Sequence, residues 1–471
     1  MNLFRRWRYK QADRIAWPET KQSNRIMKAV NLICLTTLVL SGAAVGAAGP
    51  EFRTDINSLW NRSGYSGISG AAGPSFRTDI NPALLYGQAF LVAPDNGRNA
   101  DDAYLYSKEG MSQKLPERFD ELFAGYDDEF RLLRKAALAT APCDWGIDMS
   151  EGPGTLLPHL ARAKAAAIAA RFRVMWELQH DRQTEAREDL LASVALGRNI
   201  SRDGTLISTL VQLAVEVMDC ATLAGNFGQF TPETLKEVVE GLEAEPHRGA
   251  LAACLRTERA VCQDWMRNRI LELQKASPGD DAKVMESIRE LLQNYSYESD
   301  LVGTNLWDWE RLRQAAGGTS AGVLKLVQDQ DPVWEKLAVI LALPYPQCED
   351  QMKQLIRESP NPLVSLFVPA WEKSLRRDFK SHVWLAMVRA AVEYKLRGEA
   401  GLMSVSDPGG HGPFTFQRFV FEGVDRGFKL KSAYTGSGFQ ETLIFVEKQG
   451  PPFLTDGPHV GHAWPVPASR K

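Results

Sequence analysis

The chain has 471 residues, of which 44% are hydrophobic and 24% charged, and a mean hydropathy of −0.26. Such a length buries a substantial core without disulfides or metals, and the composition excludes disordered, collagen-like and polytopic membrane classes. The net charge of −3 averages two unlike parts: residues 1–28 carry eight basic side chains against Asp13 and Glu19, and the rest is net −9, with 47 basic and 56 acidic residues. An acidic body suits no nucleic-acid partner, and none is expected.

From Met27 the sequence reads MKAVNLICLTTLVLSGAAVGAAG. A basic start, an apolar run from Ala29 to Val45 and small residues at Gly46, Ala47 and Ala48 make the three-part layout of a secretory signal, with cleavage after Ala47 or Ala48. If uncleaved, the same run is a single N-terminal membrane anchor, barely long enough to span a bilayer. Ala43 stands where a lipoprotein signal needs Cys. Residues 1–26 form a long n-region, for which a start at Met27 is one explanation. Arg5-Arg6 lies too far from the apolar run for a twin-arginine signal. Residues 1–48 are therefore read as signal or anchor, and the protein as exported to the periplasm, the cell envelope or the exterior.

Of six cysteines, Cys34 belongs to the leader. The remaining five, Cys143, Cys220, Cys254, Cys262 and Cys348, are odd in number and irregularly spaced, so they form no disulfide framework and read mainly as buried thiols. Gly46–Asn57 (GAAGPEFRTDIN) and Gly70–Asn81 (GAAGPSFRTDIN) repeat with a period of 24. Two copies fall short of a solenoid array, so a simple duplication is the better account. Residues 49–80 read as a linker.

Asn81-Pro82 supplies an N-cap with proline at the first helical position. Helical spacing then persists to residue 397. Leu160, Ala163, Ala167, Ala170, Val174 and Leu178 step by three or four; Ala186, Leu190, Val194 and Gly197 follow on a second helix. A third carries two apolar stripes, Leu206, Leu210, Leu213, Val217, Cys220, Ala224 and Ile207, Val211, Ala214, Met218, Ala221, and should lie between neighbours. Further helices are expected at 232–243, 249–275, 281–294, 304–315, 320–328, 332–342, 346–358 and 378–397, with short connections that favour antiparallel pairs. Arg376-Arg377 and Glu185–Asp189 read as solvated faces.

The period changes after residue 410. Phe414–Phe421, Gly427–Tyr434 and Glu441–Lys448 predict a three-stranded antiparallel meander, with a bulge near Gln417-Arg418 and with Val383, Met387, Ala390 and Tyr394 as its packing partner. The expected fold is mainly α: stacked antiparallel helical hairpins, tetratricopeptide-like or α-solenoid-like, over 81–375. A small C-terminal α+β module over 376–450 and a Pro-rich tail over 451–471 follow.

The stretch Leu156–Ala224, with its A-x-x-DLL helix followed by an R-x-[IL]-S…TLI…LV helix, resembles a large group of secreted or envelope-anchored bacterial proteins. Asn81–Pro94 (NPALLYGQAFLVAP) is similar to that group's opening helix, and Asp407–Phe416 (DPGGHGPFTF) followed by GFKLKSAY to its closing module. The resemblance implies a helical body with a small helix-plus-sheet end, and it brings no activity or catalytic residues with it.

Candidates for chemistry are few. Cys143, Asp144 and Asp148 share a loop, and His159 follows sixteen residues after Cys143, so a Cys nucleophile with a His base is one reading; a loop anchored by buried Cys143 and Trp145 is the plainer one. Trp307, Trp309 and Glu310 would suit a glycan platform with a nearby acid, although residues two apart on a helix face different ways and core Trp is the commoner explanation. Asp407–Pro413 lacks the lysine and helix of a phosphate loop, and His459 with His462 finds no third ligand. No metal and no cofactor is expected. The leading expectation is an exported, non-catalytic scaffold that binds another protein or a polymer. The alternative is a secreted hydrolase, with glycans as its candidate substrates and acids on inter-helix loops. N-terminal sequencing of exported protein is expected to start at Ala48 or Gly49, and an intact Met1 or Met27 would refute cleavage.

Overall fold

Asn81 opens the first helix as its sequence predicts: its carboxamide oxygen accepts from Ala83 N, and Pro82 takes the first helical position of α1 (Pro82–Val92). The computed structural model describes residues 79–94, 115–244, 246–296, 309–410, 412–421, 423–435 and 440–448. The leader, the first repeat copy, the Pro-rich tail, Trp307, His411, His459 and His462 lie outside the described residues.

Next come α2 (Asp120–Ala124) and α3 (Asp127–Ala137), then three long helices, α4 (Pro158–Gln179), α5 (Gln183–Ile200) and α6 (Leu206–Gly225), and then α7 (Pro232–Glu243). The α4–α5 turn closes with Arg182 N on Glu177 O (2.9 Å) and Asp181 N on Leu178 O (3.2 Å), which puts Asp181 at φ 58°, a left-handed position usually given to Gly. α8 (Leu251–Glu258) runs through a π turn at Arg259–Asp264 into α9 (Trp265–Ala276). α10 (Asp281–Ser296), α11 (Trp309–Ala315), α12 (Ser320–Gln328), α13 (Asp331–Leu341) and α14 (Tyr345–Glu358) complete the short helices.

The helix expected over 378–397 is the second half of α15 (Val364–Arg397). Pro369, in its second turn, removes a backbone donor and argues against helix there from sequence alone. Buried Val364, Val368, Trp371 and Leu375 nevertheless carry the apolar face upstream, against Trp334, Leu337 and Met352. After the short α16 (Glu399–Met403) come β1 (Thr415–Phe421), β2 (Val424–Lys431) and β3 (Thr442–Val446), paired antiparallel in the order β1-β2-β3. The chain is thus mainly helical with a C-terminal three-stranded antiparallel sheet.

The bulge lies further along than its sequence suggests. Register shifts between Phe419, opposite Gly427, and Val420, opposite Asp425, so Arg426 on β2 is the extra residue. Gly427 explains the site: at φ 149° a Cβ there would sit 2.1 Å from Phe445 O. Phe428, Leu430, Leu443 and Phe445 of the sheet pack with Val383, Met387 and Ala390 of α15 in one buried cluster, and the Tyr394 ring meets Phe416 at 4.7 Å, tilted by 44°. Gly228, just after α6, donates its N–H to Val446 O at 2.8 Å, in a gap too narrow for a side chain.

α6 is the centre of the molecule, packed by α4, α5, α8, α15 and β3. It is the one helix among the described residues long and apolar enough to cross a membrane, yet most of it is buried inside the protein. Its buried face is partly polar: Ser208, Gln212 and Glu216 have no exposed surface, and Asp219 is 3% exposed. Glu216 accepts from Arg248 Nη2 (3.0 Å) and Ser381 Oγ (2.6 Å), with Arg198 Nε at 3.6 Å. Burial alone would raise its pKa, but Arg248 outweighs that, and the carboxyl lies below its ordinary range. Asp219, one turn on, is pushed well up by burial and by the Glu216 charge, and it keeps only the Ser193 hydroxyl at 3.0 Å.

A second ion cluster joins α3, α4 and α5. Arg173 meets Asp189 (2.8 Å), Asp127 (2.7 Å) and Glu177 (3.1 Å), and Arg134 Nε reaches the other oxygen of Asp189 at 2.6 Å. Asp189 is fully buried, which corrects the reading of Glu185–Asp189 as a solvated face: it sits on the side of α5 turned to α4 and α3. Removing one partner of a buried ion pair strands the other charge, so Arg248→Ala is expected to lower stability by about 3–5 kcal/mol in urea denaturation. A loss under 1 kcal/mol would show that Glu216 is held by other means.

Candidate functional site

The loop that connects α3 to α4 brings the first group of candidates together. Asn81, beyond capping α1, donates Nδ2 to Asp144 O (2.6 Å) and accepts from Asp144 N (3.1 Å), so one side chain ties the loop to the first helix. The Asp144 carboxylate turns back on its own loop and accepts from Gly146 N at 2.9 Å. These bonds swing Trp145 inward, where its indole N–H donates to Asn199 O at 2.9 Å. The indole stacks on the His159 ring (4.5 Å between centroids, 21° between planes), on Tyr86 (5.9 Å, 17°) and on Phe90 (6.4 Å, 4°). Tyr86 Oη in turn accepts from Asn199 Nδ2 at 2.9 Å.

His159 lies in the first turn of α4 and is 7% exposed. Its Nε2 stands 3.6 Å from Asp203 Oδ2, and neither ring nitrogen has a hydrogen-bond partner. Asp203 is committed elsewhere: it accepts from Thr205 N (2.8 Å), Thr205 Oγ1 (3.0 Å) and Ser208 Oγ, which fixes the entry to α6. Glu258 completes that cap by accepting from Leu206 N at 2.7 Å. Two carboxylates at a helix start are favourably placed against the helix dipole.

Cys143 packs against the same apolar cluster as Trp145. Burial pushes its thiol up to about 12, against opposing pulls from the Ala83 backbone and Arg202. A thiolate is the reactive form, so almost none is present at neutral pH. Asp148 stays in solvent, where Ser150 N (2.9 Å) and Ser150 Oγ (3.0 Å) donate to it and hold its carboxyl below the ordinary range. The loop therefore unites Trp145, His159, Cys143 and the Asp144 backbone, and leaves Asp148 outside the cluster.

The second group falls at α11. Trp309 opens the helix and packs, half-buried, on the cluster of Ile270, Val284, Ile288 and Leu312. Glu310 is exposed and accepts from Arg313 Nη2 (2.7 Å) and Gln314 Nε2 (3.0 Å); the Arg313 hydrogen bond takes its carboxyl down to about 2. A carboxylate so held is a poor proton donor.

Sequence patterns miss Asn199, Asp203 and the Arg198–Glu216–Arg248 set. The signal for the last was Glu216 and Asp219 inside an otherwise apolar helix. Asp407, first residue of the glycine-rich stretch singled out in the sequence, is 2% exposed and joins that turn to the end of β2 through Ser432 Oγ (2.8 Å) and Ala433 N (2.7 Å), a role the sequence pattern does not show. Cys143, Cys220, Cys254, Cys262 and Cys348 are all free thiols. Among the described residues no group of three or more His, Cys, Asp and Glu side chains is placed to hold a metal ion. Comparison with protein families, curated proteins and solved structures gives no match. In the folded protein at pH 8, Cys143 is expected to react with a disulfide reagent at least ~100-fold more slowly than in the unfolded chain. A Cys143→Ser variant identifies its share of the signal, and a rapid folded-state reaction would reopen the nucleophile reading.

Proposed function

We propose that this protein is an exported helical scaffold of the cell envelope that binds another protein or a polymer and carries out no reaction. In this reading α4 to α7 act as a tetratricopeptide-like stack of antiparallel hairpins, with α15 laid across it and the sheet module closing one end. The observation that carries the reading is the state of the nominated reactive groups. The Cys143 thiol is held protonated, the Trp145 and His159 rings are stacked on each other, and Glu310 is bound to its own helix. A carboxyl pair whose pKa values are pushed in opposite directions does exist in Glu216 and Asp219, the pattern an acid–base mechanism needs. Both are closed inside the packing of α6, which supports a structural role over a hydrolytic one.

Binding is assigned to the surface between helices. A cleft of about 440 Å³ lies where α12, α13 and α14 meet, with Leu326, Val333 and Leu355 as its floor and Asp329, Lys336 and Glu358 on its rim. An apolar floor with a rim of both signs suits a protein segment better than a uniformly charged polymer. A photo-cross-linker at Lys336 is expected to trap a partner in cells while one at exposed Arg131 on α3 does not; equal yields would remove the cleft from the proposal. Purified protein is expected to release no reducing ends from insoluble glycans. Release that is lost in Asp144→Asn or Glu310→Gln would establish the hydrolase instead.

A further inference from the structure

Arg248 lies in the segment that joins α7 to α8 and is shared between two sets of partners. Inward, Nε and Nη2 serve the buried Glu216 carboxylate. Outward, Nη1 donates to Asp378 Oδ1 (2.9 Å) and lies 2.7 Å from Nε2 and 3.2 Å from Nδ1 of the His382 ring, whose neutral form offers Nε2, the nearer nitrogen, as its single acceptor. Asp378 and His382 are one turn apart on α15; the Asp378 side chain is 16% exposed and the His382 side chain 49%. A ring nitrogen that accepts from a guanidinium must be unprotonated. The contact therefore exists only with neutral imidazole.

We propose that Arg248 and His382 form an acid-sensitive latch between the α7–α8 segment and α15. Protonation removes the acceptor lone pair and leaves two cations at hydrogen-bond distance. The charges that face them are Asp378 from α15 itself, 3.8 Å from His382 Nδ1, and Glu216 from α6. From α5, Arg198 stands beside Glu216 and otherwise donates to the Leu242, Ala244 and Pro246 carbonyls, so it adds a third positive group to the cluster. Glu216 and Asp378 cannot serve three cations in the present geometry, and α15 loosens from the segment. The segment itself stays on the body, because Gly249 N donates to Gln212 Oε1 (3.0 Å) and Arg198 holds Pro246 O (3.1 Å). What opens is the seam under α15, the helix on which the sheet rests.

Burial and the neighbouring Arg248 charge lower the His382 pKa, while Asp378 and Glu216 pull the other way. A base whose folded pKa lies below its unfolded value of about 6.5 leaves stability intact above that pH. As the pH falls through that value the open form takes the proton first, and the closed form loses up to tenfold per unit of pKa displacement. The test uses the full chain. Histidine-labelled protein is titrated by NMR, with the His382 signal assigned by its loss in His382→Gln, and hydrogen exchange is followed over 246–258 and 376–390 at pH 7.5 and pH 5, after correction for intrinsic rates. The expected results are a His382 midpoint below 6.5, a several-fold loss of protection in the wild-type protein, and a flat response in His382→Gln. A midpoint at or above 6.5, or an equal loss of protection in both proteins, would overturn the latch. The wild-type titration decides the first point even if the variant folds poorly.

Discussion

The fold depends on one buried carboxylate. Glu216 sits in the middle of α6 with no exposed surface, and an isolated charge there would be prohibitively costly. Its position is tolerable only because Arg248 and Ser381 bond to it directly and Arg198 stands close by. Those three residues come from three different parts of the chain, and Ser381 is 165 residues from Glu216 in sequence. The carboxylate therefore specifies which elements must surround α6, whereas an apolar residue in its place would accept many neighbours. Well-packed apolar side chains could serve stability as well. The ion cluster adds the condition that α5, the 246–250 segment and α15 arrive together.

That condition explains an inversion in α6. Its half-buried positions are apolar ones, Ile207, Leu210, Val211, Ala214 and Val217, while Ser208, Gln212 and Glu216 point to the interior. The periodicity of the two apolar stripes was legible from the sequence, and it correctly requires neighbours on more than one side. The polar stripe between them was equally present in the sequence but has no meaning without the partners. A Glu in an apolar helix can mark an exposed position, a ligand site or a buried ion pair, and only the tertiary arrangement of Arg248 and Ser381 separates these. Asp189 shows the same ambiguity on α5, since a run of charges reads as solvated until two arginines from other helices are seen to enclose its last residue.

The candidate site was legible to a similar depth. Asn81 is recognisable as a helix cap, because capping is local and depends on the residues that follow. Its second task, holding the Asp144 backbone 63 residues away, is non-local and left no pattern. Cys143, Trp145 and His159 do converge, but the sequence gives residue types without protonation states or ring orientation. Once stacked on Trp145, His159 is held as a flat aromatic layer between α1, α4 and α5. The same side chains that would serve nucleophilic chemistry if solvated and paired are used here to fill space. Trp309 follows the same rule at α11, where helical geometry turns it toward a core and leaves its neighbour Glu310 outside.

The sheet module adds a further step to this dependence. Its strands are short, and three alone would be marginal in water. They are held by α15, by Phe227, whose ring meets Phe428 and Phe445 edge-on, and by the Gly228–Val446 hydrogen bond at the end of α6. All three supports start from helices that meet at or next to Glu216. α15 thus carries two loads on one rod: its Asp378–His382 stretch completes the charge cluster, and its Val383–Tyr394 stretch supports the sheet. Met387 and Ala390, where the sheet packs, lie five and eight residues beyond His382 on the same helix, so the proposed latch would act on the rod that carries the sheet. The ionisable contact stands directly before the sheet-bearing face, so the proposed latch and the sheet module share one helix.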